Sequence, residues 1–587
     1  WKKAIPANPP GGALQKAFFP PVRITQKITP VKVYSPRKGL YIADMGINFA
    51  GVFRMKLQEN PGDSVRFRFG ERVYPDGTLN PMTAVCGQIK RPGMGGPGAP
   101  DTAWQEDIFI FGDAPQAWYQ PEFTFHTYRY MEISGLDQKP EPSDIEGLFF
   151  HTDVPAPNHF SSSSELLNDI QAATRRTFLA NLTSVQSDCP AREKFGYGGD
   201  LNATSESFIL NFNMQAFYRK TVYDWLDAMN DSGFVDTAPF VGIQYCGLSW
   251  ESAFLTTQYF LYLYYHDLEF IEEMYPHNVK WMEKAARLHP GGLVTQGLGD
   301  HESLEPVPVE LTGTAHYLWV ARIMTEFAAL MEDKQNQQKY SQLAEKLERL
   351  MKEKFWDSPY QKPVNKQTLF ATLLYHDIIP GAEKKAAVDS LLKAVENGPS
   401  GHFTTGIFGT KYILEALSEH ASPGKVFDIV NSTQFPGWGH MIENGATTLW
   451  ETWKESDNTY SNCHPMFGTV TEWFYRWLGG IQPDPEYPGF KKFSLSPFVP
   501  ENLNQVDCSY LSPHGEIHSA WKKENNRCVY HFQIPPGTTA EVILQIKPEQ
   551  QITLKKSGDH TFNPQTIRGL KSGSFELNNG EYEITIK

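Results

Sequence analysis

The chain has 587 residues, which at roughly 150 residues per domain is too long for a single compact core. It carries 53 basic and 67 acidic side chains, a net charge of −14, and repulsion therefore argues against nucleic acid and anionic membranes as partners. Hydrophobic residues make up 40%, as in a soluble globular protein, and no apolar run is long enough to span a membrane.

The first part of the chain has the pattern of β-strands. The segment SVRFRFGE, which begins at residue 64, alternates apolar and Arg side chains, the period of a strand that is buried on one face. YPDGTL at 74–79 is typical of a turn, with Gly77 at the position that takes a positive φ. We predict an N-terminal β-domain over residues 1–150 that includes a leading linker.

The middle of the chain has the pattern of helices. SSSSELLNDIQAATRRTFLANL contains Ser162-x-x-Glu165, the spacing of a capping box that starts a helix. Its apolar residues recur at helical spacing, as do those of YSQLAEKLERLMKEKF at 340–355. Comparable stripes continue to about residue 419 with almost no strand pattern between them. We predict a ring of paired helices over residues 158–483.

The last part of the chain returns to the β pattern after a proline-rich boundary, PDPEYP. AEVILQI alternates apolar and polar residues, and Asn579-Gly580 in ELNNGEYEITI predicts a two-residue hairpin. We predict a C-terminal β-domain over residues 488–587.

The six cysteines form no CxxC pair, which argues against a zinc site of the usual spacing. A bridge between Cys508 and Cys528 stays open for an exported chain, but six buried thiols are the favoured interpretation. The chain opens with WKKAIPANPPGG, which lacks the apolar segment of a signal peptide.

Residues 187–200, SDCPAREKFGYGGD, concentrate charge on a loop that proline and glycine keep out of regular structure. Asp188, Glu193 and Asp200 stand there beside Arg192. The loop follows a helix, which places it at one rim of the helical domain, where loops carry function on a rigid scaffold. Taken alone, a solvated and salt-bridged loop is the favoured interpretation.

A second cluster of acids and aromatic rings favours a functional site over a solvated loop. WGHMIENGATTLWETWKES at 438–456 places Glu451 directly after Trp450, and NCHPMFG follows with His464. An amphipathic helix with a Trp-rich core face is the competing interpretation, but the Gly and Thr residues before Trp450 are poor helix formers. Two such clusters suit glycosidic cleavage, which needs one carboxyl group to protonate the leaving oxygen and one carboxylate to activate water or attack carbon. Glu193 and Glu451 are therefore the candidate pair.

Several segments match the signatures of one known family. DCPAREKFGYGGD resembles DCPxREKxGWxGD of the α-L-rhamnosidases, glycoside hydrolase family 78, and GWGHMIENGATTLWETW resembles the second signature of that family, around its catalytic base. NCHPMFGTVTEWFYRWLGGI is similar to the closing barrel helix. YIADMGINFAGVFRMKL and FKKFSLSPF are similar to the β-domains on either side of the barrel. The resemblance covers nearly the whole chain.

The resemblance implies an (α/α)6 barrel catalytic domain flanked by antiparallel β-sandwich domains, which hydrolyses terminal α-L-rhamnosides with inversion. Carried over by position, Glu193 is the general acid and Glu451 is the general base that activates water. The same positions imply a set of sugar-contacting side chains: Asp188, Arg192, Asp200, Trp250, Asp300, Trp450 and His464.

Two positions depart from the family pattern. Tyr197 stands where GWxGD has Trp, and His301 follows Asp300 where the family has Trp. Both positions are expected to contact substrate. The departures therefore bear on the identity or decoration of the sugar more than on the type of reaction.

Two alternative functions remain open. One is hydrolysis of another or a modified deoxy-sugar by the same barrel, and the other is a catalytically inactive carbohydrate-binding protein, against which the presence of both glutamates argues. The expected partner is a rhamnose-containing glycan or glycoside, with no metal, cofactor, nucleic acid or membrane span, and a homodimer is left open. A periplasmic or secreted location is favoured over a cytoplasmic one.

Overall fold

A computed structural model gives the structure of the chain and describes residues 3–9, 11–85, 102–113, 116–230, 238–242, 244–358, 360–525, 527–547, 549–558 and 563–587. Two β-rich regions flank a helical domain, in the order that the sequence predicts. Among the described residues, none of the helices combines the length and the apolar character that a membrane crossing needs.

The N-terminal β-domain is built around one long strand. Its strands are β1 (Val22–Ile28), β2 (Lys32–Arg37), β3 (Leu40–Gln58), β4 (Ser64–Gly70), β5 (Arg72–Val73), β6 (Leu79–Asn80), β7 (Glu106–Ile110), β8 (Gln116–Tyr119), β9 (His126–Ser134) and β10 (Ile145–Thr152). The main sheet has the order β1-β10-β3-β9-β4-β7, and β3 also pairs with β2 and β8. The predicted strand SVRFRFG is confirmed as β4, and the rings of Phe53 and Phe67 meet at 4.5 Å in its core.

The helical domain alternates inner and outer helices along the chain. The helices are α1 (Glu165–Ala180), α2 (Gly198–Asn211), α3 (Gln215–Asp227), α4 (Leu248–Glu251), α5 (Ala253–Tyr265), α6 (Leu268–Leu288), α7 (Val309–Leu330), α8 (Lys334–Phe355), α9 (Lys366–Tyr375), α10 (Gly381–Glu396), α11 (Ile407–His420), α12 (Pro423–Val430), α13 (Trp438–Glu443) and α14 (Thr469–Trp473).

Six of these helices close an inner ring, in which α2, α5, α7, α9, α11 and α14 each pack on the next and α14 packs back on α2. The side chains of α2 are buried all round, whereas α8 buries one stripe and exposes the opposite face. This difference is what an inner and an outer layer require, because only the inner helices are surrounded by protein. The ring is the predicted barrel.

The start of α1 differs from the sequence prediction. The N-cap is Ser164, whose hydroxyl accepts from the amide of Leu167, and not Ser162. Ser162 is unavailable as a cap because it lies in a β-strand, where it is paired with Val506. The predicted apolar stripe of this helix is confirmed, with Ile170 and Phe178 buried.

The C-terminal β-domain takes its first strand from before the barrel. Its strands are β11 (His159–Ser162), β12 (Ile481–Pro483), β13 (Lys492–Leu495), β14 (Gln505–Ser512), β15 (Gly515–Glu524), β16 (Arg527–Ile543), β17 (Ile552–Lys556) and β18 (Ser574–Ile586). The sheet order is β11-β14-β15-β16-β13-β12, with β18 pairing with β16 and β17. β11 lies at the start of the range predicted for the helical domain, residues 158–483, and those bounds stay a prediction.

Two features of this domain correct the sequence prediction. The pair β13–β16 is parallel in an otherwise antiparallel sheet, because β14 and β15 lie between these two strands along the chain. Asn579-Gly580 is not a hairpin: β18 runs through it, and Gly580 pairs with Ile534 next to a register shift in β16. The described cysteines, which include Cys508 and Cys528, are free thiols. Cys86 lies outside the described residues.

A buried network of charges ties the inner ring together. Lys411 of α11 contacts Glu206 of α2 at 2.9 Å and Glu472 of α14 at 2.6 Å. Arg476 contacts Glu206 at 2.7 Å and Glu415 of α11 at 3.2 Å. Burial by itself raises the pKa of Glu206, but Lys411 and Arg476 hold that pKa below its usual range. Two cations thus join three helices that are distant in sequence.

We predict that Lys411→Met lowers the stability of the barrel by about 3–5 kcal/mol, because it leaves buried carboxylates without their partner. Lys385→Met is the matched control, since Lys385 pairs with Asp389 on the surface of α10, where both side chains are largely exposed. Such a surface pair contributes about 1 kcal/mol or less. Thermal unfolding of both variants checks this, and equal unfolding midpoints would contradict the role of Lys411.

Candidate active site

The loop between α1 and α2 is folded back on itself by its own backbone. The amide of Phe195 donates to Asp188 Oδ1 at 3.0 Å, and the amide of Asp188 donates to the carbonyl of Phe195 at 3.0 Å. Lys194 has a φ of 62°, in the left-handed region, which turns the chain directly after Glu193. The side chain of Glu193 is 30% exposed, so its carboxylate stands at the surface of the cleft.

Glycine is required where this loop enters α2. A Cβ at Gly199 would lie 2.4 Å from the indole of Trp250, and one at Gly198 would lie 2.0 Å from the carbonyl of Trp250. Trp250 is itself buried and also packs on Phe408. The structure therefore places this predicted sugar-contacting residue beneath the loop, as a support for it.

The second loop lies between α13 and α14 and carries Glu451. The amide of Ser461 donates to Glu451 Oε2 at 2.7 Å, and the amide of Glu451 donates to the carbonyl of Ser461 at 3.0 Å. Glu451 is buried, with 7% of its side chain exposed. Its carboxylate is therefore fixed by the backbone of its own loop.

The two loops meet at one guanidinium group. Arg192 Nη2 lies 3.1 Å from Glu193 Oε1 and 3.4 Å from Glu451 Oε2. The hydroxyl of Tyr197 donates to the other oxygen, Glu193 Oε2, at 3.0 Å. The structure thus brings together the two glutamates that are 258 positions apart in the sequence numbering. Tyr197 contacts Glu193 directly, which the sequence did not predict.

Burial controls the protonation of the acids around this contact. Burial raises the pKa of Glu451 to about 7, against the opposing effects of Arg192 and the Ser461 amide. Burial, followed by the charge of Glu193, raises the pKa of Asp188 to about 8. At neutral pH, Glu451 is poised between its two forms and Asp188 is largely protonated.

Asp200 and His464 form a second pair beside the cleft. His464 Nδ1 lies 3.5 Å from Asp200 Oδ1, and both side chains are buried. Burial, followed by the charge of Asp188, raises the pKa of Asp200, while burial lowers the pKa of His464. Both shifts favour the uncharged forms, so the pair offers neutral hydrogen-bonding groups.

Asp300 is engaged in capping a helix. Its carboxylate accepts from the amides of Gly406, Phe408 and Gly409 at 2.8, 2.8 and 3.0 Å, and from the hydroxyl of Thr368 at 2.7 Å. Three of these donors are the amides at the start of α11, which need an acceptor. The prediction that Asp300 contacts a sugar gains no support from this arrangement, because both of its oxygens are already occupied.

The remaining predicted residues lie at the edges of the cleft. His301 is partly exposed, and burial lowers the pKa of its imidazole while Glu193 opposes that shift. Trp450 is buried and lines a cavity of about 150 Å³ between the barrel and the N-terminal β-domain. Sequence reasoning missed Glu302, whose charge raises the pKa of Glu451. No motif marks Glu302, which simply follows His301.

Three potential metal ligands approach one another in the first loop. Ligand atoms of Asp188, Cys189 and Glu193 lie within 4.8 Å of one another. Burial raises the pKa of the Cys189 thiol well above its usual range, and the pKa of Asp188 is about 8. Both shifts favour the protonated forms, and a metal would have to displace those protons, because a metal binds the thiolate and the carboxylate. The expectation of a metal-free site stays a prediction.

Sequence comparison agrees with a ring of paired helices. Models of three domains of the bacterial α-L-rhamnosidases match the chain: the concanavalin-like domain at residues 35–151, the six-hairpin glycosidase domain at 156–478 and the C-terminal domain at 480–559. The chain belongs to the bacterial α-L-rhamnosidase family. The predicted barrel with its flanking β-rich domains is thereby confirmed.

Individual relatives agree over nearly the whole chain. The curated α-L-rhamnosidase of Streptomyces avermitilis is 26% identical over 580 residues, which are 96% of this chain and 54% of that protein. One from Formosa agariphila is 26% identical over 601 residues, 96% of this chain and 62% of that protein. The chain therefore spans between about half and two thirds of the length of these relatives.

Solved structures of α-L-rhamnosidases superpose on nearly the whole chain. The structure of the α-L-rhamnosidase from Dictyoglumus thermophilum superposes with a TM-score of 0.89 at 30% identity and covers 99% of this chain and 65% of that one. The S. avermitilis α-L-rhamnosidase complexed with L-rhamnose superposes with a TM-score of 0.86 at 25% identity, over 97% of this chain and 54% of that one.

Proposed function

We propose that this protein is an inverting glycoside hydrolase that releases terminal α-L-rhamnose from oligosaccharides, polysaccharides or glycosides. The observation that carries the proposal is the contact of Arg192 Nη2 with both Glu193 and Glu451, in a chain of the α-L-rhamnosidase family. Two carboxylates facing one cleft suit hydrolysis better than the alternative of a catalytically inactive sugar-binding protein. The rhamnose complex of the S. avermitilis relative supports the choice of sugar.

The two glutamates differ in surroundings in a way that suits different roles. Glu193 is the more exposed of the pair and donates a proton to the leaving oxygen, which lies toward the open side of the cleft. Glu451 is buried and held by the Ser461 amide, and it accepts a proton from the water that attacks the anomeric carbon. Attack from the side opposite the leaving group inverts the configuration at that carbon.

The neighbouring polar groups orient the sugar. Arg192 donates to the hydroxyl groups, and its positive charge between the two glutamates offsets the repulsion between their carboxylates. The raised pKa values of Asp188 and Asp200 favour protonated carboxyl groups, which can both donate and accept hydrogen bonds, and the lowered pKa of His464 favours the neutral ring, which can do the same. Such a set matches the alternating donors and acceptors of sugar hydroxyls. No step requires a metal or a cofactor.

We predict that an aryl α-L-rhamnoside yields β-L-rhamnose as the first product, observed by proton NMR before mutarotation.

Glu451→Gln should lower kcat by at least roughly 10³-fold on every substrate, since each reaction needs an activated water. Glu443→Gln is the matched control, because Glu443 lies on the same segment with an exposed side chain. Initial release of the α-anomer, or full activity in Glu451→Gln, would contradict the proposal.

We predict that Glu193→Gln acts unequally on different leaving groups. Loss of general-acid help should cost roughly 10²–10⁴-fold in kcat for alkyl and sugar rhamnosides. The loss should be much smaller for a dinitrophenyl rhamnoside, whose leaving group needs no proton. Steady-state kinetics over a series of leaving-group pKa values checks this. A uniform loss across the series would assign the acid role to another group.

We predict an acid limb in the pH profile of kcat/KM near pH 7. Glu451 must be ionised to act as base, and its pKa is raised to about 7, so the active fraction decreases as the pH falls through that value. Below the limb, kcat/KM should decrease about tenfold per pH unit, as expected for one titrating group. A limb at the ordinary glutamate value of 4.5 would show that the burial of Glu451 does not govern activity.

A further inference from the structure

The loop that carries Glu451 is held by a residue of the N-terminal β-domain. Glu71, directly after β4, accepts a hydrogen bond at Oε2 from the amide of Asn462 at 3.0 Å. Asn462 immediately follows Ser461, whose amide donates to Glu451 Oε2 at 2.7 Å. One carboxylate from another domain therefore fixes the residue next to the one that holds the candidate base.

The second oxygen of Glu71 completes a closed ring of hydrogen bonds. Oε1 accepts from Asn48 Nδ2 at 3.1 Å, and the same amide group donates to Thr448 Oγ1 at 3.0 Å. The hydroxyl of Thr448 in turn donates to the carbonyl of Asn462 at 2.6 Å. The ring thus clamps both ends of the segment between Thr448 and Asn462, and Glu451 lies inside that segment.

All four members of this ring are buried. Glu71, Asn48, Thr448 and Asn462 each expose 6% of their surface or less. Hydrogen bonds to a charged acceptor are strong when water is excluded, and a buried donor left without its acceptor is costly. Breaking the hydrogen bond between the Asn462 amide and Glu71 is therefore costly, and this bond holds the loop in place.

Other contacts across the same interface act farther from the base. Arg72 pairs with Glu455, and Asn80 Nδ2 donates to the carbonyl of Asp457 at 2.8 Å. These contacts hold the outer part of the loop, and the Glu455 side chain is 38% exposed. Glu71, by contrast, contacts the amide of Asn462, the residue next to Ser461.

We propose that Glu71 is a positioning residue for Glu451, acting through Asn462 and Ser461. It keeps the Ser461 amide on the Glu451 carboxylate, and so sets both the place of that carboxylate and its affinity for a proton. The proposal rests on the proposed function, because it takes Glu451 as the base. The N-terminal β-domain is then a part of the active site and not only a brace for the barrel.

The test compares Glu71→Ala, Glu71→Gln and Glu455→Gln with the wild type on an aryl α-L-rhamnoside. We expect Glu71→Ala to lower kcat roughly 10- to 100-fold with KM changed less than about threefold, because a base displaced by an ångström loses that much. The acid limb of the pH profile should move to higher pH, since Glu451 loses the amide that favours its charged form. Glu71→Gln retains one acceptor oxygen and should lie between, and Glu455→Gln should stay within about twofold.

Hydrogen exchange measured by mass spectrometry gives a second readout that does not depend on activity. We expect faster exchange in peptides that contain Ser461 and Asn462 in Glu71→Ala, with no change in Glu455→Gln. Unchanged exchange in a folded Glu71→Ala variant, or lost activity with an unmoved acid limb, overturns the positioning role. If the wild type does not hydrolyse rhamnosides, or if Glu451→Gln is fully active, the proposed function fails, and the exchange result still decides whether Glu71 holds the loop.

Discussion

The ammonium group of Lys411 lies within the inner ring of the barrel, where it has to be neutralised by carboxylates on other helices. Glu206 of α2 and Glu472 of α14 supply them, so three helices distant in sequence are drawn together. Glu206 lies six residues, about 9 Å of helix, beyond Asp200 at the start of α2. The loops of the candidate site thus extend from the ends of these helices. The buried ion network sets the spacing between the helices.

The N-terminal β-domain contacts both loops of the candidate site. Lys194, next to Glu193, donates to the carbonyl of Phe125 at 2.9 Å and lies 3.8 Å from the centre of its ring, so the N-terminal β-domain also contacts the first loop. Glu71 of the same domain contacts the second loop. Each candidate carboxylate therefore has one anchor on a β-domain, and the gap between the two depends on how that domain packs against the barrel.

Two acidic residues of the barrel loops, Glu451 and Asp300, have different surroundings. Glu451 is buried and has a pKa close to neutrality, which suits proton transfer, whereas Asp300 is buried and accepts four hydrogen bonds at the start of α11. Both are acids in motifs that resemble those of one family. The difference lies in the number of donors around each carboxylate, because a carboxylate with all its acceptor sites occupied has little left to offer a sugar.

The sequence by itself determined the order of domains and the amphipathic helices such as α8, and it marked the two glutamates as candidates, because periodicity and motif spacing are local. It did not determine what depends on contacts between distant residues. Ser162 matched a helix cap but pairs in a strand with Val506, and Asn579-Gly580 matched a hairpin but lies within β18. The meeting of the two glutamates at Arg192 was decided only by the tertiary structure, in which the closed barrel and the N-terminal β-domain position the two loops, since nothing in either loop alone specifies the distance between them.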